Sequence, residues 1–163
     1  MRANRGRTGQ TRRAGVATVE FALVLPLLMG LLLGIWEVGR LVQVSQVLAN
    51  AAREAARQAS TGTATMAEIK SNTALYITAA EPRVTNMTGF DVIFYDVTRP
   101  SVTDPTNADQ LDHFTITVTI PWSNVRWSAT KMFIPSDKVV TTTVDWYSMR
   151  DLPVQVSPEI PVE

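Results

Sequence analysis

The residue types that carry most enzymatic chemistry are scarce in this sequence. It has no cysteine and one histidine, His113, which follows Asp112. A thiol nucleophile, a cysteine-ligated metal and a histidine cluster are therefore excluded. Asp112 and His113 with a serine would supply the groups of a catalytic triad, but no G-x-S-x-G elbow accompanies them. We expect His113 to be a surface residue that begins a strand, and we expect no enzymatic activity.

Three acids between the predicted strands form the other group of potential ligands. Asp104, Asp109 and Asp112 lie in one connection, but their spacing does not fit an EF-hand loop. The sequence therefore predicts a solvated acidic loop there, with no metal and no cofactor.

The charges are distributed unevenly along the chain. The totals balance, with 15 basic and 15 acidic residues among 163. Five arginines and no acid fall within residues 1–15, so the remainder has ten basic against 15 acidic residues, a net charge of −5. A basic N-terminal segment followed by an acidic remainder argues against a nucleic-acid binder and for an N-terminal targeting signal.

An apolar segment follows the basic N-terminal segment. Residues 21–36 contain no charge, and extension back to Val16 gives 21 residues with a single charge, Glu20. About 20 apolar residues in a helix span a bilayer core. The five preceding arginines predict a cytoplasmic N-terminus by the positive-inside rule. We therefore expect a single-pass inner-membrane protein with its C-terminal part in the periplasm or at the cell surface.

The spacing around Gly15 predicts proteolytic processing. A secretory signal peptide fits poorly, because the apolar run is long and Glu37, Val38 and Gly39 after it offer no A-x-A site. Upstream, however, Gly15 precedes Glu20 by five residues at the cytoplasmic edge of the span. Prepilin peptidases recognise this arrangement, which predicts cleavage between Gly15 and Val16 and a leader of residues 1–15.

Glu20 is the strongest candidate for a functional side chain in the span. A carboxylate in a membrane helix is costly and usually marks function. After cleavage, the new α-amine of Val16 would stay largely protonated near neutral pH. Glu20 would pair with that amine on a neighbouring subunit, or with its own amine, four residues away on the same helix face. The alternative is a tolerated interfacial carboxylate that reaches water.

Two further features of the span concern packing. Pro26 lies inside the predicted helix, where it removes a hydrogen bond and either curves the helix for assembly or is simply a tolerated kink. Gly30 and Gly34 form a G-x-x-x-G pattern, which lets two membrane helices approach closely.

The pattern after the span predicts a small α+β domain with an antiparallel sheet of about three strands. Apolar residues spaced by three and four continue the helix to Ser60, and Gly62 is a plausible stop. Thr65 and Glu68 form a capping box that opens a second helix to about Ala80. Alternating segments predict strands at 90–98, 113–122 and 139–147. The predicted units are the span 16–38, its amphipathic continuation 39–62, an external domain 63–150 and an extended tail 151–163.

Taken together, residues 15–60 resemble a known family. The stretch has G-x-x-x-x-E-F-A-L from Gly15 through Leu23, a proline early in the apolar run, a polar break at residues 37–40, and then A-A-R-E-A-A-R. This combination is similar to the TadE-like domain of the tight-adherence (Tad) pilus system. No comparable motif occurs in residues 61–163.

The resemblance implies a minor pilin or pseudopilin with a set of partners. They would be a prepilin peptidase, an inner-membrane platform driven by an ATPase, a major Flp-type pilin and other minor pilins. By the same resemblance, Glu20, Phe21 and Pro26 serve assembly. Two alternatives stay open: a single-pass anchored binding module unrelated to pili, and an anchored envelope hydrolase, for which the sequence offers no catalytic residues.

Overall fold

The molecule consists of a long N-terminal helix and a small domain built around its C-terminal half. The computed structural model describes residues 8–84, 86–126, 134–135 and 137–150, with the backbone alone for residues 8–14. Among them the elements are the helices α1 (Thr8–Ser60), α2 (Met66–Ala80) and α3 (Trp122–Val125), and the strands β1 (Asp91–Asp96), β2 (His113–Pro121) and β3 (Val139–Tyr147), with a 3-10 helix at Pro105–Asn107. This confirms the predicted α+β class.

Helix α1 is one continuous element of 53 residues. It ends at Ser60 as the sequence predicts, but it begins at Thr8, so it includes the second half of the proposed leader. Gly62 has a φ of 62° and donates its N–H to the carbonyl of Ala59. Because a residue with a side chain is strained at this φ, glycine is suited to ending the helix here.

Helix α2 begins at the predicted capping box. The backbone N–H of Glu68 donates to the Thr65 hydroxyl at 3.4 Å, and the Thr65 N–H donates to the Glu68 carboxylate at 2.9 Å. The bonds to Thr65 lower the pKa of Glu68. Asp104 adds a longer-range cap, because its Oδ2 accepts from the N–H of Met66 at 3.1 Å. The first turn of α2 is therefore fixed both locally and by the connection that follows β1.

The strands form an antiparallel sheet in the order β1-β2-β3. Alternation sets its two faces: β2 buries Phe114, Ile116, Val118 and Ile120, while its threonines face the other side. On β3 the predicted inward residues Val140, Thr142, Val144 and Trp146 are the less exposed set. β1 ends at Asp96, although the predicted strand continued to residue 98. The chain turns after Asp96, and Arg99 then lies beside Asp112.

The core lies between this sheet and the C-terminal half of α1. Helix α1 packs on β2 and β3, and α2 packs on α1 and β1. Small residues let both the sheet and α2 pack closely against α1. The buried alanines of this segment are Ala51, Ala52, Ala55, Ala56 and Ala59. The alanine-rich segment therefore serves as the centre of the external domain.

The connection between β1 and β2 is an organised loop. Asp109 is exposed, as expected for a solvated acidic loop, but Asp112 departs from that expectation. Asp112 is buried and accepts a hydrogen bond from Nε of Arg99 at 2.9 Å. That bond raises the pKa of Arg99. Asp104 accepts from Thr106 and Met66. These carboxylates hold the loop together. The predicted extended tail, 151–163, lies outside the described residues.

Candidate functional site

Helix α1 divides into two halves with opposite surroundings. From Val16 to Trp36 the large apolar side chains are exposed, with Leu23 at 76 %. From Glu37 onwards one side of the helix enters the domain, and Val44 and Leu48 are 2 % and 1 % exposed. Within the described residues, α1 is the helix long and apolar enough to cross a membrane, and its apolar window is not buried by the chain. The exposed half is therefore the candidate functional surface.

The predicted cleavage residues lie at the N-terminal end of this surface. No other group lies within 4 Å of the position that a Cβ on Gly15 would take. Val16 and Glu20 are both exposed, one helical turn apart. Among the described residues Glu20 forms no ion pair, so its carboxylate is available to a cation from outside the folded chain.

The predicted packing residues line a shallow groove. Pro26 lies within the unbroken helix, and Phe21, which is exposed, does not line the groove. The groove runs along one side of the exposed half and is lined by Pro26, Leu27, Gly30, Leu31, Gly34, Ile35 and Val38. No side-chain contact would form within 4 Å of a Cβ on Gly30. The two glycines therefore produce a concave strip that a second helix can enter closely.

Glu20 shares the side of α1 that carries this groove. Residues Glu20, Leu27, Leu31 and Val38 are separated by seven, four and seven positions, which places them on one face of an α-helix. Val16 joins the same face, since it precedes Glu20 by four. The structure thus brings Val16, the Glu20 carboxylate and the groove onto one continuous strip.

A buried ionic cluster marks the junction between the two halves, and it is a feature that the sequence analysis missed. Arg40 is 3 % exposed; its Nη1 lies 2.9 Å from Oε1 of Glu81, and its Nε donates to the carbonyl of Val125 at 2.9 Å. Gln43 donates to the same Glu81 oxygen at 2.8 Å. Glu37 is buried beside them on α1. The signal was present as the polar break at 37–40, but its partners lie far away in sequence.

The residues considered for catalysis have structural surroundings. The His113 ring stacks on Tyr147, with centroids 4.9 Å apart, and its Nε2 lies 3.4 Å from Asp145 Oδ1. Asp112 is held by Arg99. Among the described residues no group of three or more His, Cys, Asp or Glu side chains is placed to hold a metal ion.

These features define a class of protein: a small α+β domain on a long helix that is apolar enough to cross a membrane and whose N-terminal half is left exposed. Residues 15–57 match the family described as TadE-like protein. This confirms the resemblance noted for residues 15–60, and over residues 15–57 the chain is similar to that family. The family connects the chain with Tad pilus systems in general. No curated protein and no solved structure matches the chain.

Proposed function

We propose that this chain is a minor pilin or pseudopilin of a Tad (Flp-type) pilus assembly system. A prepilin peptidase cleaves it after Gly15, and the exposed half of α1 then joins it to other pilin subunits. The observation that carries the proposal is the strip on α1 that presents Val16, Glu20 and the glycine groove together, uncovered by the chain itself. The protein is a substrate and a component of the assembly, and has no enzymatic role.

Processing and assembly follow from the chemistry at the start of this strip. Hydrolysis of the bond between Gly15 and Val16 creates an α-amine that stays largely protonated near neutral pH. In hydrocarbon, an amine and a carboxylate each carry a high desolvation cost unless they pair. A neighbouring subunit whose Val16 amine meets Glu20 is therefore fixed in axial register. The groove at Gly30 and Gly34 then lets the two helices approach closely.

The proposed location and partners follow from the same arrangement. The leader arginines keep the N-terminus in the cytoplasm, and α1 spans the inner membrane in the precursor. The domain lies in the periplasm, or outside the cell once incorporated into a pilus. Its partners are the prepilin peptidase, the inner-membrane platform with its ATPase, the major Flp-type pilin and other minor pilins.

The experiment that tests this function replaces Glu20 in the native host. Glu20→Ala should insert into the membrane and be cleaved, yet leave cells without normal piliation. Met29→Ala is the matched control, because Met29 is exposed on the side of α1 away from Glu20. Wild-type piliation in cells carrying Glu20→Ala would contradict the pairing mechanism. Normal piliation after deletion of the whole chain would favour the anchored binding module unrelated to pili.

A further inference from the structure

Strand β3 forms one edge of the sheet, and its sequence does little to protect that edge. Among the described strands it pairs with β2 alone. Its nine residues contain no proline, no lysine and a single charge, Asp145, which lies beside His113. Natural proteins usually shorten, charge or bulge an edge strand, because its unpaired backbone groups bind other chains. A long and nearly uncharged edge is therefore a candidate binding surface.

The hydrogen bonds to β2 show which backbone groups of β3 are unpaired. The N–H of Ser148 donates to the carbonyl of Asp112, and the N–H of Trp122 donates to the carbonyl of Lys138. Both bonds continue the register of the two strands, so the even-numbered residues of β3 are the ones that bond to β2. The N–H and C=O groups of the odd-numbered residues point away from the sheet. These residues are Val139, Thr141, Thr143, Asp145 and Tyr147, all with exposed side chains.

The opposite edge of the sheet is less available. Strand β1 has six residues, and its N–H at Val92, which points away from β2, already donates to the Asp91 carboxylate at 2.9 Å. On β3, by contrast, the outward N–H groups of Thr141 and Thr143 have no hydrogen-bond partner in the described part of the chain. Strand addition is therefore expected on β3.

Two shallow depressions lie beside this edge, between β3 and α1. The lower depression is lined by Leu41, Ser45, Trp122, Ile134, Lys138, Val139, Val140 and Thr141. The upper depression is lined by Asn50, Arg53, Glu54, Arg57, Tyr76 and Trp146. The inward side chains Val144 and Trp146 of β3 are only partly buried, whereas Phe114 and Ile116 of β2 are 0 % exposed. Helix α1 therefore leaves this edge of the core uncovered.

The spacing of the depressions matches one face of an added strand. Val140 in the lower depression and Trp146 in the upper one face the same side of the sheet, six residues and about 20 Å apart. Alternate side chains of a strand added to β3 would face that side too. Two of its residues that are six positions apart would therefore reach the two depressions.

The side chains in the depressions define what those two residues should be. The lower depression is lined mainly by apolar side chains. In the upper depression Arg57 is paired with Glu54, while Arg53 donates to the neutral amide oxygen of Asn50 at 2.8 Å. The upper depression therefore has one positive charge in excess, and a carboxylate is its complement.

The direction of β3 excludes a second copy of this chain as an antiparallel partner. Val140 shares the lower depression with Leu41, and the N–H of Met149 donates to the carbonyl of Ser60, so β3 and α1 run in the same direction. Antiparallel pairing of β3 with β3 would point two α1 helices in opposite directions. Two copies that span one bilayer with the same topology cannot adopt that arrangement. The occupant is therefore a segment of a different protein.

We propose that the edge of β3 binds an extended segment of a different protein as a fourth, antiparallel strand. The segment carries an acidic residue that meets Arg53 and, six positions later, an apolar residue that enters the lower depression. Antiparallel addition continues the pattern of the sheet and gives the more stable ladder. Backbone bonds to the five odd-numbered residues supply affinity, and the two depressions supply specificity. The inference does not require the pilus function.

The test uses the full-length protein in detergent micelles and the synthetic peptide T-E-T-V-T-V-T-L-T. Methyl groups on the backbone nitrogens of its two valines prevent self-association, because those N–H groups would face away from β3. Amide hydrogen exchange is followed by NMR. We expect the N–H groups of Thr141, Thr143 and Asp145 to exchange rapidly in the free protein and roughly tenfold or more slowly with the peptide. Those of Thr142 and Val144 should stay slow throughout, since they bond to β2.

Matched peptides and variants separate strand addition from other binding. The same peptide methylated on the two threonines beside its first valine should not bind, because those N–H groups would face β3. Lysine in place of its glutamate should weaken binding by up to roughly fivefold, and Arg53→Glu should reverse that preference. Thr143→Pro should abolish the protection, because it removes an outward N–H that an edge strand can lose, whereas Thr143→Ala should retain it.

Three results would overturn the proposal. The first is rapid exchange of the odd-numbered amides that persists at millimolar peptide. The second is slow exchange of those amides in the free protein, since the edge would then be occupied within the chain. The third is equal binding of the two methylated peptides, which also decides the matter if Thr143→Pro fails to fold. The assay contains no pilus components, so its failure would leave the proposed pilus function unaffected.

Discussion

Arg40 on α1 and Glu81 after α2 form a buried ion pair, with Arg40 Nη1 2.9 Å from Glu81 Oε1. Gln43 donates to Glu81 and the carbonyl of Val125 accepts from Arg40, so the pair joins α1, the end of α2 and the last residue of α3. It lies where α1 passes from its uncovered half into the domain. The pair therefore fixes the orientation of the domain on the helix.

Removal of one member of this pair should be strongly destabilising. Arg40→Ala leaves the Glu81 carboxylate buried without its cation, which typically costs about 3–5 kcal/mol. Urea unfolding of the full chain in detergent, followed by tryptophan fluorescence, measures the effect. The double variant Arg40→Met with Glu81→Leu should recover most of the loss, because apolar replacements leave no unpaired charge. A small effect of Arg40→Ala alone would show that the pair does not hold the domain.

The capping box of α2 should contribute measurably to stability. Thr65→Ala removes the hydroxyl that accepts from the Glu68 N–H, and loss of such a cap costs about 1 kcal/mol. For a domain of this size that corresponds to a fall in Tm of about 4–8 °C, which thermal unfolding by circular dichroism would detect. Thr63→Ala, an exposed change two residues away, is the control and should leave Tm nearly unchanged.

Stability should fall in acid in part because of Glu54. The hydrogen bond from Arg57, with a second from Gln58, lowers the pKa of Glu54 from its usual 4.5 to about 2. A depressed pKa in the folded state gives stability that is present above pH 4.5 and is lost as the pH falls toward 2. Glu54→Gln should flatten the stability profile in that window. The change should be below about 1 kcal/mol, because this helix-surface pair is solvent-exposed. An unchanged acid profile would contradict this contribution.

The glycine groove gives a prediction about assembly that is separate from folding. Gly30→Leu places a large side chain in the groove, where the chain itself leaves room for it. The external domain should therefore keep its Tm while pilus assembly declines. Gly39→Leu is the matched control, because a Cβ there also meets nothing within 4 Å and Gly39 does not line the groove. Equal piliation in both variants would contradict a packing role for Gly30.

Substitution of Gly15 should prevent removal of the leader. Gly15→Leu should leave residues 1–15 attached, since a bulky residue there blocks entry of the chain into the protease. Immunoblotting of membranes would show a precursor about 15 residues heavier than the wild-type product. Ala14→Leu, one position upstream, is the control. Normal processing of Gly15→Leu would contradict cleavage at this bond.

Features of the fold that depend on local sequence could be predicted, and those that depend on distant partners could not. Strict alternation on β2 fixed its faces, and the Thr65–Glu68 spacing fixed the start of α2, because each signal lies within a few residues. Arg40 looked like part of a polar break, because its partner Glu81 comes from another helix and Val125 is 85 residues away. Asp112 was likewise expected in solvent until the fold placed Arg99 beside it.

The same distinction applies to the functional strip. Gly15 was identified from its position five residues before Glu20, and Gly30 and Gly34 from their spacing within the apolar run. The face shared by Val16, Glu20 and the groove follows from helical geometry alone.

The N-terminus of the mature protein tests the central claim most directly. Protein purified from its native membrane can be analysed by intact mass and by Edman sequencing. The account predicts a chain that starts at Val16, which would establish prepilin processing. A chain that still starts at Met1 would contradict it, and Glu20 would then be a tolerated charge in a plain membrane anchor.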